Sequence, residues 1–172
     1  MTTRRERFLM DALRQNLSIL RELAMRYEVS NFRGRSVLRG DQISQPEDAA
    51  KVLAPEMESL VQEQLRVLLL DQKNKIVGQH LVYQSNVNSI QIRPAEVFRE
   101  AILEAVPRII LAHNHPGGDP EPSTEDIQIT GLLMESGRIL GVEVIDHIIV
   151  GYGSYVSLRE RNLPRHSAWP TM

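Results

Sequence analysis

Residues 108–126, RIILAHNHPGGDPEPSTED, decide how this chain folds. In the first five, RIILA, Arg108 precedes an apolar run over 109–112 of the kind that predicts a strand buried on both faces. The loop that follows is rich in Pro and Gly, and Ser123 is a good N-cap for a helix over about 124–140, which Gly141 would end. A buried strand, a loop and a helix in this order predict one α/β unit.

Strands precede this unit and strands follow it. Residues 65–70 and 76–83 flank a polar turn and predict a β-hairpin, and residues 87–92 suit a third short strand. Short helices are predicted to begin near Pro46 and at Pro94, and extended segments over 142–150 and 155–158. This pattern predicts an α/β fold with a mixed β-sheet flanked by helices. The residues expected to pack from the two later helices are Val97, Ala101, Ile102, Ala105, Val106, Ile127, Leu132, Leu133 and Ile139.

The N-terminal part of the chain differs in character from the rest. Apolar residues recur at three- and four-residue steps from Leu9 to Tyr27, which predicts an N-terminal amphipathic helix. Its apolar stripe must be buried, and a homo-oligomer formed through this helix would bury it. We therefore expect three segments: an N-terminal helix and linker arm over 1–43, a main domain over 44–163 and a C-terminal tail over 164–172.

Charge is distributed unevenly along the chain. Residues 1–40 contain nine Arg and four acidic residues, a net charge of +5, so the remainder carries -7 of the total of -2. An Arg-rich arm can bind nucleic acid, although Arg scattered over a solvated helix face is the commoner explanation. The pI near 6.2 argues against a nucleic-acid role.

Composition also limits the location and the chemistry. No apolar signal core follows the N-terminus, and no segment approaches the ~20 apolar residues of a membrane span, so we expect a cytoplasmic protein that does not enter a membrane. The chain has no Cys, which excludes a disulfide framework, a thiolate metal site and a Cys nucleophile. A transition metal would need imidazole and carboxylate ligands.

Two histidines, one residue apart, follow the predicted strand. His113 and His115 point to the same side if the backbone stays extended, so both can face one metal ion. The loop can bring the carboxylate of Asp126, in the first turn of the next helix, back toward them. Two imidazoles and one carboxylate, with a fourth position left for water, are typical of a catalytic zinc site. Helix capping alone can explain Ser123 and Asp126, but it does not explain the paired histidines.

The string HNHPGGDPEPSTED, residues 113–126, fits the HxHx7SxxD signature of the JAMM (MPN-type) metal-dependent isopeptidases. More narrowly, the chain resembles the RadC family. The resemblance covers residues 44–163 and rests on four blocks in the same order: EQLRVLLLD at 63–71, RPAEVFR at 93–99, the signature itself, and DHIIVG at 146–151. It implies the JAMM/MPN fold, which is cytidine-deaminase-like, and a zinc-dependent hydrolase that acts on an amide, peptide or isopeptide bond.

The resemblance also implies roles for single residues. His113, His115 and Asp126 take the positions of the zinc ligands. Glu63 takes that of the general base, which would accept a proton from the metal-activated water and protonate the leaving amine. Ser123 takes the serine beside the site and would donate a hydrogen bond to the oxyanion. Without the resemblance, the residues alone favour a solvated acid at position 63.

The family also suggests a second function. The RadC name suggests an accessory protein of DNA repair whose metal site is structural or inactive. Salt-dependent DNA binding by residues 1–40 would favour this alternative. Residues 1–43 lack the length and the glycine pattern of the helical module that is common at the N-terminus of the family. This difference weakens the DNA-repair alternative. A scaffold domain is disfavoured because the ligand residues are present.

Two polar residues close to the motif have structural explanations. His147 follows Asp146 in a strand, where a packed histidine is more common than one that orients a metal ligand. Asn114 points away from the ion if the strand is extended, and it can bond across the loop.

Overall fold

A five-stranded β-sheet organises the residues that the computed structural model describes, which are 40–85, 92–165 and 168–170. These residues lie in a unit that spans Val37–Met172. Within them, no helix has the length and apolar character needed to cross a membrane. The elements are α1 (Pro46–Met57), β1 (Glu63–Leu70), β2 (Ile76–Ser85), α2 (Pro94–Val97), α3 (Arg99–Leu103), β3 (Arg108–Asn114), α4 (Thr124–Leu140), β4 (Glu143–Val150) and β5 (Tyr155–Ser157).

The sheet is mixed, as the sequence predicts. Its strand order is β2-β1-β3-β4-β5. β3 and β4 run parallel, and the other three neighbouring pairs are antiparallel. The prediction of an α/β fold with a mixed sheet flanked by helices is therefore confirmed. Most of the strand predicted at 87–92 falls on residues 86–91, outside the described ranges, as do the N-terminal helix and the Arg-rich arm up to residue 39.

The two faces of the sheet pack against different helices. Odd-numbered residues such as Leu65 and Leu111 share a buried cluster with Phe98 and with Leu133 of α4. On the even-numbered face, Arg66 Nη1 lies 2.6 Å from Glu56 Oε2 of α1. α1 also contacts β3, β4 and β5. The sheet is thus covered by α1 on one face and by α2, α3 and α4 on the other, and each fully buried Leu or Phe contributes about 1.5–3 kcal/mol.

The helix predicted to begin at Pro94 is interrupted. It forms two short helices, α2 and α3, that meet at Phe98. Ala105 lies beyond them with a φ of 51°, in the left-handed region, and Ile102 is 52% exposed. The prediction that these two residues pack in the core is wrong, because it continued one helical period across the break. Phe98, which the pattern did not select, is fully buried instead.

α4 begins and ends where the sequence predicts, but its buried face differs. Thr130, Leu133 and Gly137 are its buried residues, whereas Leu132 is 51% and Ile139 is 75% exposed. The prediction that Leu132 and Ile139 pack inside is therefore wrong. A stripe that contains a glycine and a threonine lets the helix lie close to its neighbours, and hydropathy alone does not select such a stripe.

Gly137 marks the closest approach of α4 to its surroundings. A Cβ atom at this position would lie 2.3 Å from the carbonyl oxygen of Val142 and 3.1 Å from the Phe98 ring. Gly137→Ala should lower the free energy of unfolding by about 1–3 kcal/mol, because overpacking outweighs the higher helix propensity of Ala. Urea denaturation followed by circular dichroism measures this change.

Gly131→Ala, in the same helix, is the matched control. Its Cβ would lie 3.4 Å from Pro164 Cγ, at ordinary contact distance. We expect it to be neutral or to stabilise by up to about 1 kcal/mol. Equal destabilisation by both substitutions would show that the close contact at Gly137 is not the cause.

Candidate metal centre

Three side chains converge at the C-terminal end of β3. His113 lies near the end of that strand, His115 follows it, and Asp126 lies in the first turn of α4. His113 Nε2 is 2.9 Å from His115 Nε2 and 3.2 Å from Asp126 Oδ1. His115 Nε2 is 3.4 Å from Asp126 Oδ2. The structure thus brings together the three predicted ligands in a group that could hold a metal ion.

The spacing of the donor atoms fits a small tetrahedral cation. Ligands at 2.0–2.1 Å from such an ion lie about 3.3 Å from one another. The two imidazole nitrogens are 2.9 Å apart, and each lies 3.2 or 3.4 Å from a different oxygen of the Asp126 carboxylate. His115 Nδ1 lies 2.8 Å from the carbonyl oxygen of Asp119, which can only accept, so that nitrogen carries the proton. Nε2 of His115 then has a lone pair that a metal ion could use.

The backbone explains why both histidines face the same way. β3 pairs with β4 as far as Asn114, and the N–H of His115 donates to the carbonyl oxygen of Val150 at 2.9 Å, one residue beyond the strand. The chain therefore stays extended through this segment, and side chains two positions apart share a face.

The N-terminus of α4 holds the carboxylate. Ser123 Oγ accepts from the N–H of Asp126 at 3.1 Å, and Asp126 Oδ2 accepts from the N–H and the hydroxyl of Ser123 at 2.8 and 2.7 Å. Helix capping and the approach to the histidines therefore operate together. The hydroxyl proton of Ser123 is directed at Asp126, so donation to an oxyanion stays a prediction that requires this bond to be exchanged.

The group is polarised in favour of a cation. Burial opposes ionisation of Asp126, but the adjacent imidazoles of His113 and His115 and the hydrogen bond from Ser123 outweigh it and hold the pKa of the carboxyl well below its usual range. The hydrogen bond with Asp126 also raises the pKa of His115, against the effect of burial. Asp126 therefore presents a full negative charge at neutral pH.

Glu63 lies beside this group, as the resemblance predicts. β1 pairs with β3 so that Leu65 is opposite His113, which places Glu63, two residues earlier, on the same face of the sheet. Glu63, Leu65, His113 and Asp126 line one small cavity of about 30 Å³. A cavity of this volume is large enough for a water molecule.

On the face of the sheet opposite the histidines, Asn114 connects the end of β3 to the start of β1. It points away from the histidines, as the sequence predicts, and its side chain is buried. Asn114 Oδ1 accepts from the N–H of Gln64 at 2.9 Å, and Nδ2 donates to the carbonyl oxygen of Gln62 at 3.1 Å. These two bonds lie on either side of Glu63 in the chain, so Asn114 holds the backbone of Glu63 against β3. The sequence offered no signal for this contact.

His147 and Thr130 lie behind the ligands. His147 Nε2 is 2.8 Å from His113 Nδ1, and His147 Nδ1 is 2.6 Å from Thr130 Oγ1. Burial, followed by the charge of His113, lowers the pKa of His147 well below its usual value. The histidine is packed in a strand, as favoured from the sequence, and it also contacts a predicted ligand. Sequence reasoning missed Thr130, although its position four residues after Asp126 on a predicted helix places both on one face.

Asp146, the neighbour of His147, fastens β5 to β4. Its carboxylate accepts from Ser157 Oγ at 2.8 Å, from the N–H of His147 at 2.7 Å and from the N–H of Arg159 at 3.2 Å. Burial raises the pKa of Asp146 to about 6, although these hydrogen bonds favour the charged form.

The sequence can be compared with known proteins. The family model described as the RadC-like JAB domain matches residues 43–163. A UPF0758 protein of Chloroflexus aurantiacus is 50% identical over 121 residues, which are 70% of this chain and 53% of that protein. A UPF0758 protein of Clostridium perfringens is 40% identical over 142 residues, 83% of this chain and 60% of that protein. The chain thus spans between half and two thirds of the length of these curated relatives, and their names state no reaction.

The raised pKa of Asp146 predicts a pH-dependent stability. The pKa of Asp146 is higher in the folded protein than its ordinary value of 3.8. The protonated carboxyl therefore stabilises the folded state fully below about pH 4, and this stabilisation is lost as the pH rises through about 6. Asp146→Asn keeps an acceptor but cannot ionise, so it should remove this loss. The measurement is the free energy of unfolding of both proteins at about pH 4 and about pH 7, with a chelator present. An identical change in both proteins would contradict the assignment.

The donor group predicts a single metal site. Protein that has been stripped with a chelator and reloaded should bind one Zn²⁺ or Co²⁺ per chain, and His113→Ala should lower the affinity by more than roughly 100-fold, because a direct ligand is lost. His80→Ala is the control, since His80 lies in β2 and outside the donor group. Elemental analysis and competition with a chromophoric chelator measure both. Equal metal content in His113→Ala and wild type would refute the site.

Proposed function

This chain belongs to the RadC-like JAB domain family, and we propose that it is a zinc-dependent hydrolase that cleaves an amide bond in a peptide or isopeptide substrate. The family predicted from the motif is thereby confirmed, and the His-His-Asp group could hold a metal ion. The observation that carries the proposal is that Glu63 lines the same small cavity as His113 and Asp126. A candidate base and candidate ligands thus face one space.

The chemistry of the donor set supports zinc. Two imidazole nitrogens and one carboxylate, with no thiolate in the chain, are the ligands of catalytic rather than structural zinc sites. His113, His115 and Asp126 would hold the ion. When bound there, zinc supplies Lewis acidity, which lowers the pKa of a water ligand to about 7 and polarises a carbonyl group.

Glu63 provides the proton transfer. Its carboxylate borders the cavity and accepts a proton from the attacking water, then returns it to the leaving nitrogen. Asn114 supports this role, because its bonds to the backbone of Gln62 and Gln64 attach the base to the strand next to the histidines. The backbone that carries Glu63 is thereby held at a fixed distance from the histidines, which helps to orient the base.

The remaining wall of the cavity is apolar. Leu65, Ile92, Ile129 and Leu133 line it beside the polar groups. Apolar walls exclude bulk water, which strengthens the electrostatic interaction between the residues of the site and the developing charges. The substrate must supply a carbonyl carbon and a nitrogen leaving group, and peptide and isopeptide bonds do so.

Glu63→Gln separates the base from the ligands. We expect the variant to bind zinc as the wild type does and to lose turnover by about 10²–10⁴-fold, because the amide cannot accept the proton. The assay is cleavage of a panel of peptide and isopeptide-linked substrates by zinc-loaded protein, with a chelator arm. Glu104→Gln, an exposed acid outside the cavity lining, is the control and should keep full activity.

Each other outcome has a defined meaning. Loss of zinc from Glu63→Gln would make Glu63 a ligand and not the base. Full turnover in Glu63→Gln would exclude the base role. A zinc-loaded wild type that cleaves none of the panel but binds DNA in a salt-dependent manner would replace the hydrolase with the accessory role.

A further inference from the structure

A chain of hydrogen bonds runs from the backbone of α4 to the metal-facing nitrogen of His113. Its members are the carbonyl oxygen of Asp126, Thr130 Oγ1, the two nitrogens of His147 and the two nitrogens of His113. We propose that Thr130 is a positioning residue that acts through His147 and determines which ring nitrogen of His113 keeps a lone pair for the ion. The inference rests on the metal site of the proposed function and not on hydrolysis.

The hydroxyl of Thr130 determines which atom donates and which accepts in this series of hydrogen bonds. Thr130 Oγ1 lies 2.6 Å from the carbonyl oxygen of Asp126, which can only accept a hydrogen bond. The single hydroxyl proton is therefore used in that bond, a common geometry for Thr within a helix. Toward His147 Nδ1, which is 2.6 Å away, the hydroxyl oxygen can only accept. His147 must accordingly carry a proton on Nδ1.

The position of the proton on His147 in turn determines which nitrogen of His113 carries a proton. His147 is buried, with a relative exposure of 1%, and among the described residues its ring nitrogens contact Thr130 Oγ1 and His113 Nδ1 and no carboxylate. As a neutral ring with a proton on Nδ1, it presents a lone pair on Nε2. His113 Nδ1 lies 2.8 Å from that atom, so it is the donor. Nε2 of His113, which faces His115 and Asp126, is then the nitrogen without a proton.

His113 and His115 thus both carry a proton on Nδ1 and leave Nε2 without one, but the partner of Nδ1 differs between them. His115 donates Nδ1–H to a fixed acceptor, the carbonyl oxygen of Asp119. His113 has an imidazole in that place, and an imidazole can be either donor or acceptor. Only a third group can remove the ambiguity, and Thr130 is the residue in contact with the far nitrogen of His147. Outer groups of this kind typically change metal affinity by 10–100-fold.

Removal of the hydroxyl should therefore weaken metal binding without removing a ligand. In Thr130→Val the side chain keeps its shape, but Nδ1–H of His147 loses its acceptor. The other tautomer of His147 then becomes accessible, and its Nε2–H would face Nδ1–H of His113. Two donors cannot bond at 2.8 Å, so His113 is driven toward the tautomer that protonates Nε2. We expect zinc affinity to fall by about 10-fold or more.

The experiment compares three variants of the full chain. Thr130→Val removes the hydroxyl, and Thr130→Ser should restore affinity to near the wild-type value. Ser136→Ala is the matched control, because the hydroxyl of Ser136 donates to the carbonyl oxygen of Leu132 at 2.8 Å, the same bond six residues further along α4, and Ser136 is only half-buried and lies outside the group of histidines. The readouts are Zn²⁺ affinity by chelator competition and the tautomers of His113 and His147 by ¹⁵N NMR of the imidazole rings.

The tautomers provide a test that does not depend on activity. In the wild type, stripped of metal at a pH where the rings are neutral, His147 should carry its proton on Nδ1. Thr130→Val should shift His147 away from this state and weaken zinc binding, while Ser136→Ala should change neither. These results would support the positioning role.

Three results would overturn it: a wild-type His147 that carries its proton on Nε2, wild-type zinc affinity in Thr130→Val, or an equal loss of affinity in Ser136→Ala. The wild-type NMR measurement decides the question even if Thr130→Val fails to fold. A wild type that binds no zinc would refute the proposed function, and the tautomer of His147 in the metal-free protein would still test the role of Thr130.

Discussion

The candidate metal centre depends on backbone hydrogen bonds between β3 and β4 that continue one residue past the end of β3. The bond between the N–H of His115 and the carbonyl oxygen of Val150 keeps the chain extended one residue beyond β3. As long as it is extended, His113 and His115 share one face and Asn114 takes the other. If the chain turned at Asn114, the second imidazole would leave the group and the asparagine would lose its partners Gln62 and Gln64 on either side of Glu63. One hydrogen bond therefore affects both the candidate ligands and the candidate base.

The helix N-terminus serves two purposes at once. The capping box of Ser123 and Asp126 starts α4, and the same carboxylate lies beside both imidazoles. Burial alone would favour a neutral acid, but the donors around Asp126 keep it charged. A carboxylate already held by a cap loses little side-chain entropy on binding an ion, whereas a flexible acid would lose more. Folding and the proposed metal binding would therefore use the same rotamer of one side chain.

Polar groups behind the metal group are satisfied by other parts of the protein and not by bulk water. His147 lies between His113 and Thr130, and Asp146 next to it takes three donors from β4, β5 and the turn that follows. Unpaired groups at such depth would each cost about 1–3 kcal/mol. The arrangement favours one fixed geometry of the metal group, because each ring has a defined donor and acceptor.

The sequence by itself determined the order of the elements and the identity of the donor group. The apolar run before His113, the spacing of two between His113 and His115, and Ser123 three residues before Asp126 are local patterns, and local backbone geometry converts them directly into a strand, a shared face and a cap. Only the tertiary structure decided the partners that lie far away in the sequence. Glu63 reaches the cavity through the register of β1 against β3, and Asn114 is paired across 50 residues. His147 meets Thr130 because α4 packs on β4. These contacts depend on strand register and on helix packing over small residues such as Gly137, which the periodicity of one segment does not encode.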